Sequence, residues 1–231
     1  MRWQHPDLGV IKPARFLPIA EESSLIHQIG AWVINAACRQ CATFQRQGLG
    51  KLTISVNLSG KQLHAPQLLE TIADALAESG LPPSALVLEV SESMIMADID
   101  RSKRALAALH TLGVKIAVDS FGTGFSNFQQ LLRLPISALK IDRRLVTALD
   151  KSEDRQSQVI AQALIQLAHG LGISVIAEGV ETARQFSILR EKTCDVLQGW
   201  IHSPAMPVDE TLELMRDYDP QAWLQAMHHR N

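Results

Sequence analysis

Six short apolar runs in this chain each end in a polar residue, and this pattern constrains the fold more than any other feature. Strands buried on both faces of a parallel sheet read as near-continuous apolar runs. Helical patterns separate most of the runs, at spacings of about 20 to 40 residues, as expected when a helix crosses back between parallel strands. The sequence therefore predicts an α/β protein. The six polar residues are Asn57, Glu89, Asp119, Lys140, Glu178 and Gln198.

These six side chains are expected to face one another, because the carboxyl ends of the strands in a parallel barrel converge on one face. Asn57, Glu89 and Asp119 carry the hard oxygen donors that Mg²⁺ and Mn²⁺ prefer. Two such ions can together provide the water, the charge neutralisation and the leaving-group assistance that phosphodiester cleavage needs. A lysine such as Lys140 can hold the attacking water or balance phosphate charge. One carboxylate at a strand end more often caps a helix, so the predicted divalent-metal site rests on all six residues together.

The number of runs predicts an incomplete barrel. A closed (β/α)8 barrel needs eight strands, and six runs are found, while the chain starts with a loop at His5–Gly9. We therefore expect a TIM-like barrel with about six of the eight strands present. Its open edge predicts association, such as a homodimer. Residues 1–216 are predicted to form one domain, followed by a loosely held C-terminal tail at 217–231.

Composition narrows the possible partners and the location. The net charge of −2 over 231 residues gives no electrostatic reason to expect binding to polymeric nucleic acid. The N-terminus lacks the apolar region of a signal peptide, and no apolar stretch approaches the roughly 20 residues that span a bilayer. The sequence therefore predicts a cytoplasmic protein without a membrane segment.

Local signals give three further expectations. Cys38 and Cys41 form a CxxC inside a helical run, with only Cys194 as a distant third thiol. Zinc sites take four ligands and reactive CxxC pairs usually lie at a helix N-terminus, so we interpret this pair as helix-packing residues. The segment 13–47 is predicted as two helices with a break at Ile29-Gly30. Thr182 is predicted to cap a later helix.

Ordered motifs along the chain carry a resemblance to a known family. They are Arg2-Trp3-Gln4-His5-Pro6, 16–21, Ser55-Val56-Asn57-Leu58-Ser59, 88–93, 119–126, Leu139-Lys140-Ile141-Asp142, 177–182 and Gln198-Gly199. With them the chain resembles the EAL family of bacterial cyclic di-GMP phosphodiesterases over nearly its whole length. The resemblance implies a barrel that hydrolyses cyclic di-GMP to linear pGpG with Mg²⁺ or Mn²⁺.

The resemblance also implies roles for residues at matching positions. Asn57, Glu89 and Asp119 look like metal ligands. Glu178 looks like a metal-site glutamate or general base, and Lys140 like the lysine that orients water and phosphate.

Four further residues have implied supporting roles. Arg2 matches an arginine that contacts a ligand phosphate, and Gln198 resembles a substrate-binding group next to the metal ligands. Glu181 resembles the glutamate that steadies the loop after Asp119, and Ser120 belongs to the same support.

Two departures from the family pattern predict impaired hydrolysis. The Glu-Ala-Leu signature, whose glutamate is a metal ligand, belongs immediately before Met1, so Met1 is expected to be an internal methionine of a longer frame. The family's paired aspartates read Asp119-Ser120 here, and a serine hydroxyl is a poorer metal donor. Losing even supporting partners of a metal site costs roughly 10 to 100-fold, so two lost ligands should cost at least ~10³-fold, or about 4 kcal/mol.

Two alternatives to an active phosphodiesterase remain at this point. The first is a degenerate, non-catalytic EAL domain that acts as a cyclic di-GMP receptor or protein-interaction module. The second is an unrelated metal-dependent barrel enzyme, such as an enolase-like lyase, which the ordered motifs disfavour.

Overall fold

The structure, a computed structural model, describes residues 1–121, 133–150 and 155–228. The chain divides into two compact units, Met1–Ile116 and Ala117–Asn231. In the described part of the chain, no helix is long and apolar enough to cross a bilayer.

The first unit joins a small hairpin and a set of helices to two parallel strands. The hairpin is antiparallel and pairs Trp3 with Ile11, where the sequence predicted only a loop. The elements in chain order are β1 (Trp3–His5), β2 (Gly9–Ile11), α1 (Pro13–Glu22), α2 (Leu25–Arg46), β3 (Ile54–Asn57), α3 (Gly60–Leu63), α4 (Leu68–Ser79), a 3-10 turn (Pro83–Ala85), β4 (Leu86–Ser91), α5 (Glu92–Ala97) and α6 (Ile99–Leu112).

The break between the first two helices lies at Ser23 and Ser24, so the predicted break at Ile29-Gly30 was wrong. Gly30 lies inside α2 and is buried. The Gln62 side chain packs so closely that a Cβ on Gly30 would stand 1.7 Å from Gln62 Nε2. Gln62 is fixed there by a reciprocal cap, its Oε1 accepting from Ser59 N–H at 2.9 Å. The glycine therefore makes room for α3 against α2 and does not end a helix.

The CxxC residues belong to the core of the first unit, as predicted. Cys38 and Cys41 both lie on the buried face of α2. Burial raises the pKa of the Cys38 thiol to about 11 and also raises the pKa of Cys41. Burial thus packs both thiols in the core and disfavours the reactive thiolate form.

The second unit is a parallel sheet with helices between its strands. Strand β5 leads into it from the first unit, and the strands pair in the order β5-β6-β7-β8. Every residue of β6 is buried, as expected for a strand covered on both faces. The elements are β5 (Lys115–Phe121), β6 (Ala138–Ile141), α7 (Arg143–Ala148), α8 (Arg155–Gly170), β7 (Ser174–Glu178), α9 (Ala183–Glu191), β8 (Val196–Gln198), α10 (Val208–Arg216) and α11 (Pro220–His228).

Part of the predicted C-terminal tail is helical. Its residues 220–228 form α11, and Met227 is buried. The Trp223 ring stacks on His202 with centroids 4.5 Å apart and meets Phe186 edge-on at 5.2 Å. These contacts attach α11 to the second unit, because large aromatic surfaces are removed from water there.

The parallel strands β3 to β8 coincide with the six predicted apolar runs. Asn57, Glu178 and Gln198 are the last residues of β3, β7 and β8, and the other three polar residues lie within two positions of a strand end. Thr182 caps α9 with a capping box, as predicted.

Candidate active site

Asn57 and Glu89 lie side by side at the carboxyl ends of β3 and β4. They are register partners, and neighbouring parallel strands are about 4.8 Å apart. The Leu58 N–H donates to Glu89 O at 2.9 Å and holds the chain leaving β3 against β4. Asn57 is exposed, whereas only 3% of the Glu89 surface is accessible. The first unit thus brings an amide and a carboxylate together.

Lys140, Glu178 and Gln198 form a row across three adjacent strands of the second unit. Lys140 is only 2% exposed, and its Nζ lies 3.7 Å from Glu178 Oε2. At that distance the opposite charges attract each other, but the two atoms are farther apart than in an ordinary hydrogen bond. Gln198 is the register partner of Glu178 on the next strand. The structure therefore brings together three of the predicted residues, including the two proposed from the sequence for catalysis.

Asp119 and Ser120 lie at a β-bulge on the other side of Lys140. The register runs from the pair Val118 and Leu139 to the pair Phe121 and Ile141, so two residues of β5 face one residue of β6. Ser120 has a φ of 55°, which residues other than glycine rarely adopt, and its N–H donates to Asp119 Oδ1 at 2.7 Å. Bulges beside active sites re-aim side chains. The rest of this motif, residues 122–126, lies outside the described residues.

Arg143 and Trp200 adjoin this row, and sequence reasoning missed both. The Arg143 guanidinium bonds to Glu181 Oε1 at 2.5 Å and lies 6.0 Å from the centroid of the Trp200 ring. Its aliphatic part covers Gly179, where a Cβ would stand 2.4 Å from Arg143 Cγ. Trp200 is 67% exposed. A large aromatic residue directly after the Gln198-Gly199 motif was the signal that could have identified it.

The turn after Glu178 is fixed by a partly buried polar network. Asp150 accepts from Thr182 Oγ1 at 2.8 Å and from Gln185 Nε2 at 2.7 Å. Gln185 Oε1 in turn accepts from Glu181 N–H at 2.7 Å. Glu181 therefore has its backbone held by α9 and its carboxylate held by Arg143. The loop after Asp119, which Glu181 is predicted to steady, lies outside the described residues.

Arg2 lies at the surface of the first unit. Its side chain is exposed, and Nη1 donates to Met1 O at 2.8 Å. Its role as a phosphate contact stays a prediction.

The described residues offer few donors for a divalent cation. Among residues 1–121, 133–150 and 155–228, no group of three or more His, Cys, Asp or Glu side chains is close enough to hold a metal ion. Mg²⁺ usually keeps several waters and takes one or two carboxylates together with substrate phosphates. Asn57 and Glu89, register partners on adjacent strands, provide an amide and a carboxylate as oxygen donors of that kind.

Comparison with known proteins decides the family. The model of the EAL domain matches residues 1–205. The chain belongs to the EAL-domain family. It is 42% identical over 212 residues to the bifunctional diguanylate cyclase/cyclic di-GMP phosphodiesterase MucR of Pseudomonas aeruginosa, covering 92% of this chain and 31% of MucR. It is 38% identical over 218 residues to the cyclic di-GMP phosphodiesterase NbdA of the same organism, covering 94% of this chain and 28% of NbdA.

Solved EAL structures give the same result. The MucR phosphodiesterase in complex with cyclic di-GMP superposes with a TM-score of 0.85 at 41% identity, covering 91% of this chain and 84% of that one. The FimX EAL domain from P. aeruginosa bound to cyclic di-GMP gives a TM-score of 0.80 at 28% identity, covering 90% and 83%. These likenesses confirm both the family resemblance and the predicted α/β, TIM-like fold class. The chain spans about 30% of the length of the curated relatives named above.

Proposed function

We propose that this EAL domain is a cyclic di-GMP phosphodiesterase that produces linear pGpG and uses Mg²⁺ or Mn²⁺. EAL phosphodiesterases generally use divalent metal ions, and both named relatives carry this activity in their names. The observation that carries the proposal is the nearly inaccessible Lys140 beside Glu178 at the strand ends. A buried ammonium is expensive to desolvate, and such groups concentrate at functional sites.

In this proposal Asn57, Glu89 and Asp119 hold the metal ions, with Glu178 as a further ligand or the general base. When bound, the ions supply a nucleophilic water and neutralise charge on the phosphoryl oxygens. Glu178 is half-exposed and can therefore accept a proton from a water molecule. Lys140 is held rigidly by its burial, which suits a group that orients that water and the phosphate.

Substrate binding is assigned to Arg2 and Gln198. Gln198 is exposed beside Glu178, so its amide can reach a bound ligand. Glu181 and Ser120 are assigned to support of the loop that follows Asp119. The proposal keeps the EAL domain at residues 1–216 with the tail at 217–231, a cytoplasmic location, and a homodimer.

The test is hydrolysis of cyclic di-GMP by the purified chain with Mn²⁺ or Mg²⁺, measured as pGpG by chromatography. Lys140→Met and Glu178→Gln should each lower kcat by about 100-fold or more, because each removes a group that acts on the water or the phosphate. Lys103→Met, at an exposed lysine of α6, is the matched control and should leave kcat unchanged. Absence of pGpG at every metal concentration would contradict the proposal.

A second candidate is a cyclic di-GMP receptor without turnover, and Ser120 favours it. A neutral hydroxyl replaces the carboxylate that the family pattern has at this position, which weakens metal binding but leaves other ligand contacts in place. Calorimetry with cyclic di-GMP distinguishes the two candidates. Binding without pGpG formation supports the receptor, and binding with metal-dependent turnover supports the enzyme.

A further inference from the structure

The strand that carries Gln198 has little support from the sheet itself. β8 is three residues long and stands at the edge of the described sheet, where it pairs with β7. An edge strand has ladder hydrogen bonds on one side only, and short segments with few contacts open locally at low cost. Val196 and Gln198 are both exposed, which agrees with weak support. Contacts from outside the sheet therefore decide how firmly the Gln198 side chain is placed.

The His202 ring provides such a contact. It hydrogen-bonds to the backbone of Leu197, the residue before Gln198. Partial removal from water lowers the pKa of His202 below its usual value, although this hydrogen bond opposes the shift. The ring is therefore mainly neutral at pH 7 and can donate one N–H to the Leu197 carbonyl. The backbone closes onto the same turn, since His202 N–H donates to Gly199 O at 3.3 Å.

The tail helix α11 holds this ring by stacking. Trp223 lies face to face with His202, with ring centroids 4.5 Å apart and an angle of 16° between the ring planes. Trp223 is itself fixed, because Phe186 meets it edge-on at 5.2 Å and Met227, about one turn further along α11, is buried. The stack fixes the plane of the imidazole and thereby the direction of its N–H bond.

We propose that α11 positions Gln198 for its ligand. Trp223 holds the plane of the His202 ring, and this ring holds the backbone of Leu197. The next residue, Gln198, then presents its amide in one place at the end of β8. This role rests on the proposed function, which assigns Gln198 to substrate binding. His202 and Trp223 are positioning residues that act through Gln198, and α11 lies beyond residues 1–205, which the EAL domain model matches.

Hydrogen exchange measured by mass spectrometry tests this positioning without any ligand. Trp223→Ala should speed amide exchange in peptides that cover residues 196–202 by about 10-fold, because the ring stack and the hydrogen bond to Leu197 are both lost. Trp223→Phe keeps an aromatic face and should exchange at nearly the native rate. Met227→Ala is the matched control, since it removes a buried side chain from α11 but keeps the Trp223 ring, and it should leave 196–202 unchanged.

Two results of this experiment would overturn the proposal. One is native exchange at 196–202 in Trp223→Ala. The other is equal acceleration in Met227→Ala, which would show that any weakening of α11 has the same effect. Circular dichroism verifies the folding of every variant, so that global unfolding is not mistaken for a local change.

Steady-state hydrolysis of cyclic di-GMP gives the second readout. Trp223→Ala should raise KM about 10-fold and change kcat by less than about twofold, because a substrate contact is loosened while Lys140 and Glu178 stay in place. His202→Phe, which can stack but cannot donate a hydrogen bond, should raise KM in the same way, whereas Trp223→Phe should not. A fall in kcat at unchanged KM would contradict the positioning role. If the native chain forms no pGpG, the proposed function fails, and the exchange data still decide whether α11 holds β8.

Discussion

Substitution of Gly199 by alanine should strongly destabilise the second unit. A Cβ at this position would stand 2.2 Å from Val180 O and 2.4 Å from Val180 N. These are backbone atoms that cannot rotate away, so the two chain segments must separate by about 1 Å to reach van der Waals contact.

That separation breaks two hydrogen bonds of a fully buried residue. Val180 N–H donates to Gln198 O at 3.0 Å, and Val180 O accepts from Ile201 N–H at 2.9 Å. An unpaired buried backbone group costs about 1–3 kcal/mol, so the two together predict a loss of about 4 kcal/mol in the free energy of unfolding. Hydrolysis should fall as well, because Gln198 precedes the substituted residue.

Urea unfolding followed by circular dichroism measures this loss. Gly172→Ala is the matched control, because Gly172 also has a positive φ of 71° but has nothing within 4 Å of an added Cβ. Gly172→Ala should lower the free energy of unfolding by only about 1 kcal/mol, the cost of placing alanine at a positive φ. If Gly199→Ala costs no more than Gly172→Ala, the close approach to Val180 does not constrain this position and the reasoning is wrong.

Substitutions at three other positions test the site and the stability of the fold. Ser120→Asp should raise metal-dependent hydrolysis by about 10-fold or more, because it adds a carboxylate. Ser120→Asn is the control, since asparagine also tolerates a positive φ but adds no charge, and it should not raise hydrolysis. Equal effects of the two substitutions would refute the metal role. Burial would raise the pKa of Asp195, but hydrogen bonds from Val175 N–H and the His169 ring lower it below its usual value. The resulting stabilisation is fully present above the unfolded pKa of about 3.9 and is lost as pH falls through the folded pKa. Asp195→Asn removes this titration, so the free energy of unfolding plotted against pH should fall less steeply on the acid side. Lys140→Met should change the melting temperature little, since it removes a desolvated charge while the carboxylate of Glu178, 38% exposed, can be solvated by water; a marked fall would show that Lys140 is structural.

The strands and their polar ends could be predicted because the signals are local. An apolar run that ends in Asn57 or Glu178 shows both the buried strand and the residue at its end, without knowledge of its neighbours. The capping box at Thr182 is equally local, since its partner Gln185 lies three residues away.

What could not be predicted depends on contacts between distant segments. Gly30 resembles a helix break until Gln62 is placed against it. The bulge at Ser120 is defined only by the register of β5 against β6. Arg143 gains its importance from Glu181, which is 38 residues away in the sequence. Sequence spacing does not encode such contacts between distant segments, and these contacts decide how the candidate site is shaped.

The cysteines of this chain have a practical consequence for spectroscopy. Burial raises the pKa of Cys194 to about 11, the same as for Cys38, and raises that of Cys41 as well. Each unit of pKa above pH lowers the thiolate fraction about tenfold, and the thiolate is the form that alkylating dyes attack. A single cysteine introduced at an exposed position such as Lys103 should therefore take up a maleimide fluorophore selectively. The labelled chain can then report association in solution without prior removal of its own thiols.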